Sequence, residues 1–505
     1  MEETMEENMA VGGVVFLQEV FLSLVVILLT WFILKVSITR LSRKRPTFDL
    51  PPGPPPHWIS GNTAVFRSNV EERHIRLLEL HKKYGKVVRI QMGRPPLYGT
   101  DIFSVADPHL CEEVLKSKSY AISKLTQARF QMFIGKNGLN ALEGTTWKKH
   151  RRLILPLFHS GFLSYALEVI ADKTEVLTQK LKDLPDKSSV EVYLLMKNLA
   201  LDIISKAAFG YDLQVQENPD GKLVKAVTSF LEHAGEVAFL ALPRLWTWMH
   251  PFKAFQARQQ RKLLDNLVEQ IINKRKGKDD EDDKKDLLTL LLKAQDPESK
   301  YSMSEMEVHD EILTFLFGGF ETTTSQLCWV LYHLAQHPEI QVTAQEEVDR
   351  VLGDSSVVTS AMEKELKYVA NCIKESQRLV PVITGFSRGA VEDAELGGFH
   401  IPKGSVLFLD SYVLHHLEDL WDRPEEFDPT RWEDKMAART FSFLPFGGGN
   451  RRCAGQPFAV VEMKAVIALI LKNFSLKLDE SRPISTEVKI AFGPRKIHFF
   501  FTRRS

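Results

Sequence analysis

Near its C-terminal end the chain reads Phe446-Gly447-Gly448-Gly449-Asn450-Arg451-Arg452-Cys453-Ala454-Gly455, and an apolar helical pattern follows from about Pro457 to Leu471. Consecutive glycines admit tight, unusual turns and leave backbone amides able to approach the sulfur. Cys453 stands close to a helix N-terminus and two arginines, a setting that favours thiolate over thiol. A thiolate so placed is a nucleophile or a metal ligand; the commonest state of a lone cysteine is simply a buried thiol. Cys111, Cys328 and Cys372 add no paired spacing and no CxxC half-site, as expected of thiols kept reduced.

Upstream, Ser304-Glu305-Met306-Glu307 has the capping-box pattern, and a helical reading runs from there to His337-Pro338, where proline stops it. A helix of about 33 residues is about 50 Å long, enough to cross a whole globule. At its centre sits Gly318-Gly319-Phe320-Glu321-Thr322-Thr323. Two glycines inside a helix cost roughly 1 kcal/mol each against alanine, and the threonines beside them are weak helix formers. Such a flaw marks close backbone packing, a bend, or room for a flat ligand. Glu321 and Thr322 next to it form an acid and alcohol pair able to deliver protons.

At the other end, Val20 to Leu34 carries no charge, and the apolar stretch extends back to Val11, interrupted only by Gln18 and Glu19. Roughly 20 such residues cover a hydrocarbon core of about 30 Å. Glu2, Glu3, Glu6 and Glu7 precede the stretch, and Lys35, Arg40, Arg43, Lys44 and Arg45 follow it. The positive-inside bias places the N-terminus in the lumen and the body in the cytoplasm, and an acidic head argues against a cleaved signal. The expected organisation is a lumenal segment at 1–13, a transmembrane signal-anchor helix at 14–34, a basic and proline-rich hinge at 35–56, and a catalytic domain at 57–505. Pro51-Pro52-Gly53-Pro54-Pro55-Pro56 reads as a semi-rigid spacer.

The 505 residues carry 65 basic and 65 acidic side chains with 44% hydrophobic residues, which excludes a collagen, a disulfide scaffold and a disordered chain. The absence of net positive charge argues against a nucleic-acid partner. Mean hydropathy of -0.15 leaves room for one membrane span only. Lys86–Gln91 and Asp101–Val105 predict short strands. Helical patterns dominate from about residue 107, including Trp147–Phe158, Phe162–Leu184, Val190–Phe209 and Ala254–Lys276. The acidic and basic run at 277–286 predicts a surface insertion.

The cysteine stretch resembles the haem-ligand loop of the cytochrome P-450 monooxygenases, F-x-x-G-x-R-x-C-x-G, at Phe446, Gly449, Arg451, Cys453 and Gly455. Gly318–Thr323 is similar to that family's oxygen-activation motif. Glu375-Ser376-Gln377-Arg378 is similar to its E-x-x-R, and Phe427-Asp428-Pro429-Thr430-Arg431-Trp432 to its F-x-P-x-R-[FW]. Trp147-Lys148-Lys149-His150-Arg151 matches W-x-x-x-R. The resemblance covers nearly the whole chain. It implies a mainly α fold, a large helical bundle with small β-sheets, preceded here by one N-terminal transmembrane helix.

The resemblance implies haem b with Cys453 as axial thiolate ligand, Phe446 packed beside it, and Trp147, Arg151, Arg388 and Arg451 as donors to the two propionates. Glu375, Arg378 and Arg431 are expected to hold the proximal core rather than react. Thr322 with Glu321 is expected to supply protons for dioxygen activation, which favours a monooxygenase. The other reading is a haem-dependent isomerase or dehydratase, or a membrane-tethered haem binder, that uses no dioxygen. With no Rossmann GxGxxG and no flavin domain in the chain, the implied electron donors are NADPH–cytochrome reductase and a cytochrome b-type protein. Lys148, Lys149, Arg452 and Lys464 are candidates for docking them, at the endoplasmic reticulum membrane.

Within the family, Leu201–Gly210 and the surroundings of Trp147 are most similar to cholesterol 24-hydroxylase-like members, with fatty-acid ω-hydroxylase-like members as near cousins. Many ω-hydroxylases have a haem-linking glutamate where this chain has Gly318. Sterol-directed relatives often have two prolines where this chain has Pro381-Val382. A lipophilic substrate is expected to meet Arg129, Phe130, Phe133, Ile134, Phe315, Val382, Ile383, Thr384, Ala491 and Phe492.

Overall fold

The computed structural model describes residues 49–57, 60–63, 70–93, 100–185, 187–221, 224–230, 249–276, 285–433, 441–488 and 491–504, with isolated positions Ser23, Ile27, Thr30 and Trp31 ahead of them. The expected span at 14–34 and most of the 277–286 insertion lie outside the described residues. Among those described, no single helix is long and apolar enough to cross a membrane.

Helices dominate. In chain order those that matter below are α1 (Arg73–Tyr84), α2 (Pro108–Lys116), α3 (Lys124–Ile134), α4 (Gly144–Ile154), α5 (Ser160–Lys182), α6 (Val192–Phe209), α7 (Pro251–Lys276), α8 (Glu305–Gly319), α9 (Glu321–Gln336), α10 (Lys367–Leu379) and α11 (Gln456–Asn473). The helical core joins α5, α6, α8, α9 and α11 through residues such as Phe162, Leu199, Ile312, Leu327 and Val466. A second apolar core lies under a small sheet and includes Val88, Phe103, Leu115 and Leu407.

That sheet has five strands. β1 (Val87–Met92) pairs antiparallel with β2 (Thr100–Val105), matching the strand periodicity of the sequence. With β3 (Tyr120–Ala121), β4 (Phe386–Ala390) and β5 (Val406–Leu409), the spatial order is β1-β2-β5-β4-β3. β4 and β5 pair antiparallel with Arg388 opposite Leu407, so the pleat puts Phe386 and Arg388 on one face.

The long central helix is where expectation and structure differ. Ser304 closes its capping box as expected, its side chain meeting the Glu307 amide and the Glu307 carboxylate the Ser304 amide at 2.8 Å. The helix then breaks at Phe320 (φ -97°, ψ -48°) instead of running unbroken to His337. The hydroxyls of Thr322, Thr323 and Thr324 donate back to the carbonyls of Gly318, Gly319 and Phe320 at 2.7, 2.9 and 2.8 Å. Hydroxyls that bond a carbonyl one turn back bend helices, and the glycines beside them offer little resistance.

The proline run is not a free spacer where it reaches the globule. The Arg89 amide donates to Pro52 O at 2.8 Å, and Asn62 Nδ2 donates to Pro54 O and Pro55 O at 3.2 Å each. A Cβ on Gly53 would lie 1.9 Å from Arg89 O, so glycine alone permits the approach. Pro51–Pro56 is thus a strap laid on β1.

Candidate active site

The cysteine loop is built by two left-handed glycines, Gly447 (φ 69°) and Gly449 (φ 63°). Gly449 also abuts the end of α2, where a Cβ would come within 2.8 Å of Leu115 O. The loop closes when the Cys453 amide donates to Phe446 O at 2.9 Å. It ends at Gly455, the residue before α11. The Gly455 and Gln456 amides thus face the sulfur.

Cys453 opens onto a cavity of about 360 Å³. Its walls come from α4 (Trp147, Arg151), the broken helix (Phe315, Gly318, Thr322), the segment after α10 (Val382, Ile383), β4 (Arg388) and the cysteine loop (Phe446, Arg451). Ten of the residues expected at the site therefore meet in one place: these nine apart from Gly318, together with Cys453. Cys453 is the one exposed cysteine of the four, and it lines this cavity. Desolvation by the surrounding protein atoms pushes its thiol up, against the Gly455 amide, the charge of Arg151, the Gln456 amide and the charge of Arg452. The thiolate bias expected from sequence is thus outweighed by desolvation in the protein alone. A coordinated cation reverses that balance outright.

One wall gathers positive charge. The Arg451 guanidinium lies over the Trp147 ring at 4.0 Å, and that of Arg151 at 5.8 Å. Arg451 donates to Leu142 O at 2.8 Å and pairs with Glu143 at 2.9 Å. Arg388 donates to Ser387 O at 2.9 Å and lies over Phe386 at 5.3 Å. Burial holds Arg451 down to about 10, and although Glu143 opposes this, the charges of Arg388 and Arg151 add to it. Burial also lowers Arg151 and Arg388. Three desolvated guanidinium groups on one cavity wall, only two of them acting with Glu143, fit a ligand bearing two anionic groups. A flat macrocycle with two propionates would satisfy both that charge and the thiol, and Gly318 and Cys453 both line the cavity that would hold it.

The acid and the alcohol face different ways. Thr322 lines the cavity. Glu321 does not: it is buried and pairs with Arg495 at 2.6 Å, while the Arg495 guanidinium lies over the Tyr193 ring at 4.6 Å. Gly449 shapes the loop without bordering the cavity.

Glu375, Arg378 and Arg431 form a separate network. Arg378 grips Glu375 in two-point fashion at 3.0 and 2.8 Å, and Arg431 Nε reaches Glu375 Oε1 at 3.0 Å. The Trp432 indole and the Asp428 amide complete the carboxylate at 3.0 and 3.1 Å. The remaining donors of Arg378 meet the carbonyls of His415, Pro424 and Glu426 at 2.9, 2.6 and 3.0 Å. Arg431 also bonds the carbonyls of Asp422 and Arg423.

Several candidate substrate residues lie off the cavity wall. Phe492 stacks on Trp329 at 5.7 Å, and Ala491 is buried beside it. Phe130 packs edge-on to Phe317, Ile134 is in the core, and the Thr384 carbonyl accepts from the Tyr412 amide. Arg129 stands near Arg73, whose guanidinium burial, then the Arg129 charge, hold down to about 10. The Phe133 side chain is outside the described residues. Lys464, a candidate docking cation, is buried against Glu363 at 2.6 Å and so is spent internally. Lys148 and Arg452 are exposed.

The sequence reading missed Phe158, Phe162, Phe386, Gln326 and Gln377, all on the cavity wall. Phe386 was accessible to it: strand alternation from Arg388 puts Phe386 on the same face. The others are contributed by helices whose packing no local pattern reveals.

A helical bundle with a small sheet, a cysteine loop at the cavity and a cationic wall fits a haem-thiolate enzyme, and comparison with known proteins agrees. The Cytochrome P450 family pattern matches residues 51–501, and the chain belongs to that family. It is 32% identical over 472 residues to Cytochrome P450 4X1 of Homo sapiens, covering 88% of this chain and 89% of that protein. It is 30% identical over 464 residues to Cytochrome P450 3A5 of Homo sapiens (89% and 91%), and 30% identical over 453 residues to Cytochrome P450 4A7 of Oryctolagus cuniculus (85% and 85%). The protein is a monooxygenase that binds haem b through a cysteine thiolate.

Proposed function

We propose that Cys453 would supply the thiolate that holds haem and that the enzyme hydroxylates a lipophilic substrate of sterol or fatty-acid type, taking electrons from NADPH–cytochrome reductase. The observation that carries the reading is the cavity in which Cys453 and Thr322 share space with apolar Phe315, Val382 and Ile383. Haem bound there supplies dioxygen activation, driven by electron donation from the thiolate. The residues do the rest. Arg151, Arg388, Arg451 and Trp147 would hold the two carboxylates of the cofactor, and Phe446 would keep water from the sulfur. Phe315, Val382 and Ile383 orient an apolar substrate and exclude water from it. Thr322 Oγ1 donates to Gly318 O and keeps its lone pairs to accept and pass on a proton at the cavity wall. Glu321 can feed that proton only when its pair with Arg495 opens.

In this reading residues 1–13 are lumenal, 14–34 anchor the chain in the endoplasmic reticulum membrane, and the domain that follows is cytoplasmic. The flanking charges support it. Protease protection of an N-terminal tag in microsomes tests it, and digestion of the tag in sealed vesicles contradicts it. For the chemistry, reconstitution with reductase and NADPH over a lipid panel is expected to give products heavier by one oxygen. Thr322→Ala is expected to lower product per NADPH several-fold while peroxide rises; an unchanged yield removes Thr322 from proton delivery.

A further inference from the structure

His150 is fully buried on α4, three residues after Trp147 and one before Arg151. The resemblance gives it no role. Yet its ring joins α4 to the cavity-lining helix α8 at two points: Nδ1 lies 2.8 Å from Glu311 Oε1, and Nε2 lies 3.3 Å from Glu307 Oε1. Glu311 is fully buried as well. Tyr301 completes the group, donating to Glu307 at 2.6 Å with its hydroxyl 3.1 Å from His150 Nε2. Lys149 caps the assembly over the Tyr301 ring at 5.2 Å.

The same turn of α8 holds the loop that follows α3. Asp310 accepts from both the backbone amide and the side-chain amide of Asn137 at 3.0 Å. Gly135 packs so tightly on Asp310 that a Cβ there would lie 2.2 Å from its carboxylate. The Leu139 amide acts on the Glu311 carboxylate. That loop in turn carries Leu142 and Glu143, the partners of Arg451. One helical turn of α8 therefore registers both parts of the cationic wall: α4 with Trp147 and Arg151 through His150, and the Arg451 side through the 137–143 loop.

We propose that His150, bridged to Glu311 and Glu307, is a positioning residue that fixes α4 against α8 and so sets how tightly the cationic wall holds the cofactor's carboxylates. This rests on the assignment of Arg151, Trp147 and Arg451 to those carboxylates. A histidine can bridge two acids on both ring nitrogens only when both are protonated, so the brace is strongest with His150 charged. The groups facing it are Glu307, Asp310 and Glu311 from α8, Tyr301 from the preceding segment, and Lys149 from its own helix. Both acids raise His150 above its ordinary value of 6.5 against burial. The sign follows: a raised histidine contributes fully below 6.5, and the contribution is lost as pH climbs through the raised value.

The test is transfer of haem from the loaded protein to excess apomyoglobin between pH 6 and 9, with the reduced carbon-monoxide spectrum and urea midpoint recorded alongside. Wild type is expected to release haem faster as pH rises. His150→Gln, which keeps one donor but no charge, is expected to release it about tenfold faster at pH 6.5 and to lose the pH dependence. Glu311→Gln is expected to give a smaller, several-fold increase. Lys173→Met, which breaks the 2.7 Å Lys173–Asp212 pair away from the cavity, serves as the matched control. Rates and pH profiles of His150→Gln and Glu311→Gln that match wild type overturn the proposal, as does the same acceleration in the control. Arg451→Leu separates the underlying reading: if it does not speed release, the carboxylate assignment fails, whatever His150 does.

Discussion

Two clusters of buried or half-buried arginines among the described residues are electrostatic opposites. Around Glu375, the guanidinium groups of Arg378 and Arg431 are matched by one carboxylate and by backbone carbonyls on every side. Around the cavity, Arg388 and Arg451 share Glu143, the charges of Arg388 and Arg151 bear on Arg451, and burial holds all three down. The first cluster is complete within the chain; in the proposed function the second is completed by the anionic groups of the cofactor. Identical side chains thus serve stability in one place and binding in the other, and the partner count tells which.

The contrast breaks most visibly at Glu375. Glu375→Ala leaves two buried cations unpaired and is expected to cost about 3–5 kcal/mol, read as a urea midpoint and as loss of haem incorporation. A folded, haem-loaded variant of near-normal stability contradicts the comparison. Next in size is a pH effect beside the same cluster. Burial, then the charge of His337, holds His333 down to about 3, with Arg378 adding to this. A lowered histidine contributes stability above the unfolded value, and that contribution is lost as pH falls from about 6.5 toward 3, by up to about 1.4 kcal/mol per pH unit. Removing it with His333→Gln is expected to flatten the acid limb of a Tm-against-pH curve; an unchanged limb counts against a neutral His333.

A smaller effect sharpens the other side. Arg388→Leu is expected to leave the urea midpoint of the haem-free protein unchanged or slightly raised, because it relieves repulsion, while haem release speeds up about tenfold, near 1.4 kcal/mol. Destabilisation of the haem-free protein as large as at Glu375 would make the two clusters alike. Smallest is a pair of neighbouring glycines. A Cβ on Gly318 meets nothing within 4 Å, whereas one on Gly319 lies 3.0 Å from Ile204 Cδ1. In the haem-free protein, Gly318→Ala is expected to stabilise by up to about 1 kcal/mol through helix propensity. Gly319→Ala is expected to lose that gain or reverse it, as urea midpoints of the two variants will report.

Much of this was legible in the order of residues. The capping box at Ser304, the strands at Val87–Met92 and Thr100–Val105, and the glycine turns before Cys453 depend on contacts within a few positions, so local chemistry prescribes them. The break at Phe320 was half legible: its glycines and threonines were visible, but a bend or a gap would have left the same signature. The fate of Lys464 was hidden, because Glu363 stands far away in sequence. So was that of Glu321, whose partner Arg495 arrives from the last strands of the chain.

By itself, the sequence determined the family, the glycine-rich cysteine loop and the residues of the Glu375 network, since each is carried by side chains at short, fixed spacing. Only the tertiary structure decided which cations are fully matched within the chain and which crowd together on the cavity wall. Charge balance in a low-dielectric interior is set by neighbours in space, and those neighbours come from opposite ends of the chain.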